Sequence, residues 1–367
     1  MKFLIVDAYH PGFLDSLYAS TPNLADAPYT EQRDLLMAQR FGTSNYYSRN
    51  LERLDHEAAE VVVNCHPLQI SWAQEAGLRL RRKFRRPTYL GVALPWLTRD
   101  WMYQVLMAQV KMYRPDVIYF QHPGGTDPAF LAEIRSYVRL IVMQIASPLM
   151  RWANLRNYDL ALSSFPHFVE RFRQQGLRSD YFRLGFEPEI LEDLKRTTMH
   201  DVVFVGGFSR NHTERIKFFE EFAQRQGLEW WGYGEKNLGA NSPLRATYHG
   251  ASWALDMYQK LYNARISLNH HINAARDYAN NMRLYEATGV GSLLLTDFKS
   301  NLHLLFEPGK EVVTYRSLEE CVELSQYYLE HDEERTAIAR AGQARTLREH
   351  TFYHRMQELV EIVRRYL

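Results

Sequence analysis

The residues best suited to chemistry stand where strands are expected to end. The run Asn280-Asn281-Met282-Arg283-Leu284-Tyr285-Glu286-Ala287-Thr288-Gly289, continued by Val290 to Asp297, reads as a loop, a short helix, a glycine stop and a buried strand. A helix opening near Asn281 turns its unpaired amides toward an anion such as a diphosphate. Glu286 follows Arg283 by about one turn, and a carboxylate there can accept hydrogen bonds from a ribose diol. The plainer alternative is a surface glutamate paired with Arg283 at i,i+3. A second segment, Asp201 to Val205 followed by Gly206-Gly207-Phe208-Ser209-Arg210 and a helix from about Thr213, is a strand, a glycine turn and a helix start. Gly206 and Gly207 let the backbone approach a ligand, and Arg210 offers a bidentate phosphate contact. Its alternative is a plain tight turn in which Ser209 or Asn211 caps the helix. The spacing is neither a Walker loop nor a GxGxxG fingerprint.

Histidines supply the remaining candidates. His10, His66 and His122 each precede a proline at or near an expected strand end. A neutral imidazole there can act as general base toward an acceptor hydroxyl, or bind it; a capping or packed histidine is the alternative for each. His10 and His122 are the preferred pair. His270 and His271 follow the expected strand Arg265 to Asn269 and are placed to line the same crevice. Adjacent strand residues point to opposite faces, which argues against one shared metal.

Positioning these residues requires parallel sheets with crossover helices. Short apolar runs at Phe3–Asp7, Ala59–Asn64, Asp116–Gln121, Val138–Ile145 and Asp159–Ser163, with a weaker one at Tyr181–Leu184, alternate with helical stretches near 31–41, 68–85, 99–112, 128–135 and 167–175. After a charged passage without strand character, Glu187 to His200, a second series begins. Its strands are 201–205, 228–231, 265–269, 292–296 and 312–315. Its helices are 213–225, 252–263, 282–289, 318–329, 333–347 and 352–367. The expectation is an α/β chain of two Rossmann-like, doubly wound domains, 1–190 and 191–367, with the last helix free to pack back on the first. Ligands in such sheets bind outside the carboxyl ends of the strands.

Composition bounds the function. Lys and Arg number 44 against 43 Asp and Glu, for a net charge of +1, which gives no global reason to expect nucleic acid. Arg79 to Arg86 is the one basic run, read as a solvated helix face or an anionic-surface contact. Cys65 and Cys321 form neither a metal spacing nor a disulfide framework. The apolar start, Phe3 to Val6, stops at Asp7 and is too short for a signal peptide. No run approaches the roughly 20 apolar residues that span a bilayer. A soluble, cytoplasmic protein is expected, with homo-oligomerisation left open.

The run from Asn281 to Asp297 resembles the signature of the CgeB-like (spore-maturation-protein-like) glycosyltransferases, within the broad family-1 type glycosyltransferase domain. The resemblance extends from about Val202 to Arg364, through Leu261–Asn269 and Phe306–Val313. It implies a GT-B fold, two Rossmann-like domains facing each other across a cleft, with the nucleotide sugar against the C-terminal domain and the acceptor against the N-terminal one. By the same resemblance Glu286 binds the donor ribose, and Asn281, Met282 and Arg283 face the donor sugar and phosphates. Retaining relatives carry a second glutamate eight residues before the first; here Tyr278 stands there, beside Asp277. The usual arginine and lysine after the first strand of the C-domain are replaced by Gly207 and His212. The chain has no Asp-x-Asp pair of the kind that holds a metal-bridged diphosphate, so no metal or other cofactor is expected. The reading is a metal-independent transfer of sugar from a nucleotide diphosphate donor to an acceptor hydroxyl. A nucleotide-sugar epimerase or hydrolase, or a non-catalytic binding or assembly protein of the same fold, are the alternatives.

Overall fold

The apolar runs form two separate sheets in the computed structural model, which describes residues 1–80, 100–121, 123, 126–147, 155, 157–209 and 213–367. His122 and Arg210, with most of the basic run 79–86, lie outside the described residues. The first sheet holds β1 (Lys2–Asp7), β2 (Glu57–Val62), β3 (Val117–Phe120), β4 (Leu140–Gln144), β5 (Leu160–Ser163) and β6 (Arg178–Tyr181), in the order β2-β1-β3-β4-β5-β6. The second holds β7 (His200–Val205), β8 (Glu229–Trp231), β9 (Ala264–Asn269), β10 (Leu293–Asp297) and β11 (Val313–Tyr315), in the order β11-β10-β9-β7-β8. Every pairing is parallel. The strand order reverses beside β1 in one sheet and beside β7 in the other, which opens a crevice at each set of carboxyl ends.

Helices cover the sheets. The first half carries α1 (Pro11–Ser20), α2 (Tyr29–Ala38), α3 (Tyr46–Glu52), α4 (His66–Glu75), α5 (Asp100–Tyr113), α6 (Pro128–Ile134) and α7 (Pro166–Gln174). There follow α8 (Ile190–Asp193), α9 (Thr213–Arg225), α10 (Ala254–Tyr262), α11 (Met282–Gly289), α12 (Leu318–Glu330), α13 (Asp332–Glu349) and α14 (Phe352–Arg364). Three helices were not expected, α1, α3 and the single turn α8. In α1, Pro11 presets the first turn and the His10 ring caps it, so a segment that reads as a strand-end loop winds up. In α3, Tyr46, Tyr47 and Leu51 are fully buried beneath the first sheet, and tertiary burial overrides a β-leaning aromatic pair. β6 lies three residues before the expected Tyr181–Leu184, because Phe182, Leu184 and Phe186 pack into the core beyond the last ladder pair.

One apolar cluster runs through both halves. It links Phe3, Tyr119 and Val142 of the first sheet to Val203, Leu284 and Leu294 of the second, through Phe182, Phe186 and Ile190 and then Phe352 and Met356 of α14. The chain crosses between the halves twice, near 186 and near 351, and the passages pair. Phe186 donates its N–H to His350 O at 2.9 Å, and Phe352 donates to Phe186 O at 3.0 Å. After the second crossing α14 packs on α3 of the first half. The approach is close enough that a Cβ on Gly289 would stand 2.5 Å from the Phe186 ring.

His350 is tied at both nitrogens. Nε2 lies 2.8 Å from Leu305 O, to which it donates, and Nδ1 accepts from the buried Arg355 at 3.2 Å. Burial pushes its pKa from 6.5 down to about 4. Between those values the unfolded chain takes up a proton that the folded one refuses. Stability therefore falls as pH drops through this window, by up to about 1.4 kcal/mol per pH unit from this group. Chemical denaturation between pH 7.5 and 4.5 should show that decline, and His350→Gln, which cannot titrate, should decline less than the wild type.

Candidate active site

The turn after β7 is shaped by the turn after β8. Gly206 donates to Trp231 O and Phe208 to Tyr233 O, both at 2.9 Å. Gly232, at φ 149°, would place a Cβ 2.0 Å from Gly206 O, and a Cβ on Gly207 would meet the Tyr233 ring at 2.4 Å. Glycine at 207 thus makes room for a protein ring, a packing reason that the sequence did not show. The turn still lines the open space, a cavity of about 620 Å³ between the carboxyl ends of the two sheets. Residues ending β1, β3 and β4 line one side of it; the turns after β7, β8 and β9 and the start of α11 line the other.

Arg215, which sequence reasoning missed, is the cation closest to a phosphate-binding role. It stands in the first turn of α9 and lines the cavity with Gly206 and Gly207. Its guanidinium packs over the rings of Phe204, Phe219 and Phe208, 5.1 to 6.0 Å from their centroids. It makes one long hydrogen bond, to Gly207 O at 3.4 Å, and its Nε is shut from water without a partner. No carboxylate pairs with it among the described residues. Burial drags its pKa down to about 10, so it remains charged at neutral pH. A desolvated cation with no counter-charge is costly unless an anion joins it.

Glu286 and Arg283 form the i,i+3 pair that the sequence allowed, at 2.9 Å, yet both are mostly buried rather than on the surface. Tyr258 adds a hydrogen bond to the carboxylate. Burial raises the pKa of Glu286, opposed by Arg283 and Tyr258. Arg283 also donates to Val205 O at 3.0 Å, tying α11 to the end of β7. Asn281 precedes α11, and its amide donates to Asn269 Oδ1 at 2.7 Å. Its own Oδ1 and the Nδ2 of neighbouring Asn280 are shut from water without partners. Met282 completes the helix start and lines the cavity.

The loop leading to Asn280 is braced from below. His271 faces Asp297 at 2.7 Å through Nδ1 and accepts the Asn280 N–H at 3.2 Å through Nε2. The imidazole is therefore a neutral spacer with its proton on Nδ1. Burial works to raise the pKa of Asp297, but the hydrogen bond from His271 and the Lys299 ammonium at 3.2 Å outweigh it and hold the carboxyl below its usual range. His270 points elsewhere: it stacks on Phe218 and meets the Tyr315 hydroxyl at 3.0 Å, and burial pushes it down to about 4. Both histidines line the cavity, and each has its own partner.

Other sequence candidates stand apart. His10 caps α1, with Nδ1 accepting from Gly12 at 3.1 Å, and its exposed ring stacks on Trp253 across the cleft at 4.7 Å. It is not among the residues lining the cavity. Asp277 is exposed and does not line it either, and Tyr278 stacks on His167 beside a different hollow. Loop 270–281 turns its Ala275 and Asn280 to the cavity and Tyr278 away from it.

This arrangement, two parallel α/β halves with their strand ends around one cavity, is shared with known proteins. Residues 188–361, just under half of the chain, match the family model described as glycosyl transferase-like. Over essentially the full length, the structure is similar to sucrose-phosphate synthase from Thermosynechococcus elongatus. That match has a TM-score of 0.60 at 10% identity and covers 100% of this chain and 99% of that one. The fold is GT-B. It is also similar to Anabaena HepE in complex with UDP-glucose (TM-score 0.58, 13% identity, 99% of each chain). AviGT4, a glycosyltransferase involved in avilamycin A biosynthesis, matches with a TM-score of 0.54 at 14% identity, covering 100% and 98%. No curated protein matches the sequence. Residues 188–361 thus resemble a glycosyl transferase-like domain, within a chain of GT-B fold. Among the described residues no helix is long and apolar enough to cross a membrane.

His271→Ala is expected to cost about 1.5–3 kcal/mol, the worth of a hydrogen bond to a charged group. Hydrogen exchange at the Asn280 amide should quicken well beyond the global change, because that N–H loses its partner.

Proposed function

We propose that the protein transfers a glycosyl group from a nucleoside diphosphate sugar, held by the C-terminal half, to an acceptor hydroxyl held by the N-terminal half. The observation that carries this reading is Arg215, a partly buried guanidinium without a carboxylate partner among the described residues, beside the Gly206-Gly207 turn and in the same cavity as Arg283 and Glu286. Two cations in one low-dielectric space suit a diphosphate, whose charge grows as it leaves. Glu286, fixed by Arg283 and Tyr258, offers carboxylate oxygens to the ribose diol. Asn281 Oδ1 and Asn280 Nδ2, one acceptor and one donor, suit hydroxyl groups of the donor sugar, since each hydroxyl both gives and takes a hydrogen bond. The match of residues 188–361 and the likeness to a HepE structure holding UDP-glucose support a nucleotide-sugar donor. The run from Asn281 to Asp297 supports the narrower CgeB-like placement.

In the reaction the bond from the anomeric carbon to the diphosphate oxygen breaks and its electrons leave with the nucleoside diphosphate. A bond from the acceptor oxygen to that carbon forms, and the acceptor proton passes to a base. Catalysis here is positioning plus stabilisation of the leaving charge.

Thermal-shift and calorimetric titration with UDP, GDP, TDP, ADP and CDP tests the reading. One nucleoside diphosphate should raise the melting temperature, with or without EDTA. Arg215→Ala and Glu286→Gln should each weaken that binding by about tenfold to a hundredfold, or about 1.4–2.7 kcal/mol, while the unliganded protein stays folded. Full affinity in both variants, or no shift with any of the five, would overturn it.

A further inference from the structure

A second hollow, of about 560 Å³, opens at the other end of the C-terminal sheet. Its walls come from the passage after α8, the end of α10, the first residues of β9, the turn before β10 and the first half of α13. These are the amino ends of the strands, whereas the cleft lies at their carboxyl ends. The six residues of β9, roughly 17 Å of strand, separate the two. The volume falls within the range of small-molecule sites, about 300–1,000 Å³.

Arg196, Arg265, Arg335 and Arg340 line this hollow, and among the described residues no aspartate or glutamate does. Two carboxylates reach the set from outside. Asp332 is shared by Arg265 and Arg335, and Asp201 meets Arg265 at 2.9 Å; both are mostly exposed. Arg335 also donates to Tyr328 O at 3.0 Å and Arg265 to Leu329 O at 2.7 Å, so these two are fixed parts of the wall. Arg196 and Arg340 have no carboxylate partner among the described residues. Arg196 is held all the same, because it donates to Tyr262 O and its guanidinium lies 3.9 Å over the Tyr262 ring. Arg340 makes neither a hydrogen bond nor an ion pair among the described residues. Its neighbours one turn away on α13, Thr336, Ala337, Gln343 and Ala344, bring no carboxylate. Four guanidinium charges against two carboxylates leave two positive charges unoffset around one concavity. Like charges gathered there repel one another until an anion joins them.

We propose that this hollow binds a small phosphorylated molecule through its phosphomonoester, at a site separate from the transfer cleft. Such a group carries about −1.5 to −2 charge at neutral pH, which meets the two unoffset charges, whereas a carboxylate brings only one. Its three oxygens can take the planar forks of Arg196 and Arg340 from two walls at once. Thr336 adds a hydroxyl, and Ala264, Val290 and Ala339 give the organic part an apolar surface. The assignment does not depend on the transferase reading.

The test is calorimetric titration of the full chain carrying R215A, which removes a cation of the cleft, with glycerol 3-phosphate, glycerol and succinate. Glycerol 3-phosphate should bind about tenfold or more tightly than succinate, and glycerol not at all. R340A should weaken that binding by about tenfold and the R196A/R340A pair by about a hundredfold. R348A, which takes one charge from the same helix outside the hollow, should leave it unchanged. Arg340 has no contact to lose, so R340A decides the matter even if R196A loosens the fold. Unchanged affinity in R340A, an equal loss in R348A, succinate binding as tightly, or no binding of glycerol 3-phosphate would each refute the proposal. Vesicles of phosphatidic acid present the same phosphomonoester, and retention on them without binding of the soluble probe would refute a recessed small-molecule site.

Discussion

The double crossing of the chain at Phe186 and Thr351 is the constraint on which the site depends. A GT-B cavity has no wall of its own; it exists because two sheets are held with their strand ends facing. Here the paired passages share backbone hydrogen bonds, Gly289 is bare to admit the Phe186 ring, and α14 closes the contact by packing on α3. The apolar cluster through this junction is continuous from Phe3 to Leu294. At about 25 cal/mol per Å², a seam of that extent outweighs any single polar contact across the cleft mouth. The halves are therefore joined by a core on one side and by lighter contacts on the other, among them the His10–Trp253 stack and the Leu255 N–H donated to Gln39 O.

Polar groups divide in the same way. The second half concentrates cations and a buried carboxylate near the start of α11, each fixed by neighbours: Glu286 by Arg283 and Tyr258, the Asn280 loop by His271 and Asp297. The first half lines the cavity with the carboxamides of Gln121 and Gln144, held from behind by threonine and tyrosine hydroxyls. Both sides arrange side chains before a ligand arrives, which lowers the ordering cost at binding.

Much of this was legible in the sequence. The buried parallel strands, the bounds of α9 and α11, the passage between the sheets and the Arg283–Glu286 spacing all follow from local pattern. What escaped was set by distant partners. Two helices, α1 and α3, are made by a cap and by burial rather than by periodicity. The role of His10 depends on Trp253, some 240 residues away. Arg215 reads as one more charge in a helix, although a signal was available: it shares a face with Phe219 and Phe222, where an apolar residue is expected. Gln121 and Gln144 carry no motif at all, because their orientation comes from Thr43, Tyr47 and Tyr119.

The interlocked turns after β7 and β8 carry one more consequence. Gly232 is excluded from bearing a side chain by the carbonyl of Gly206, and Gly207 by the ring of Tyr233. Neither turn can change alone. In descendants of this chain the two loops must drift together or not at all, so four positions scattered over 28 residues behave as one heritable character. A lineage that gained a side chain at 207 would have to surrender the aromatic ring at 233 in the same step, and with it the stacking of Tyr233 on Trp253, whose ring centroids lie 5.4 Å apart.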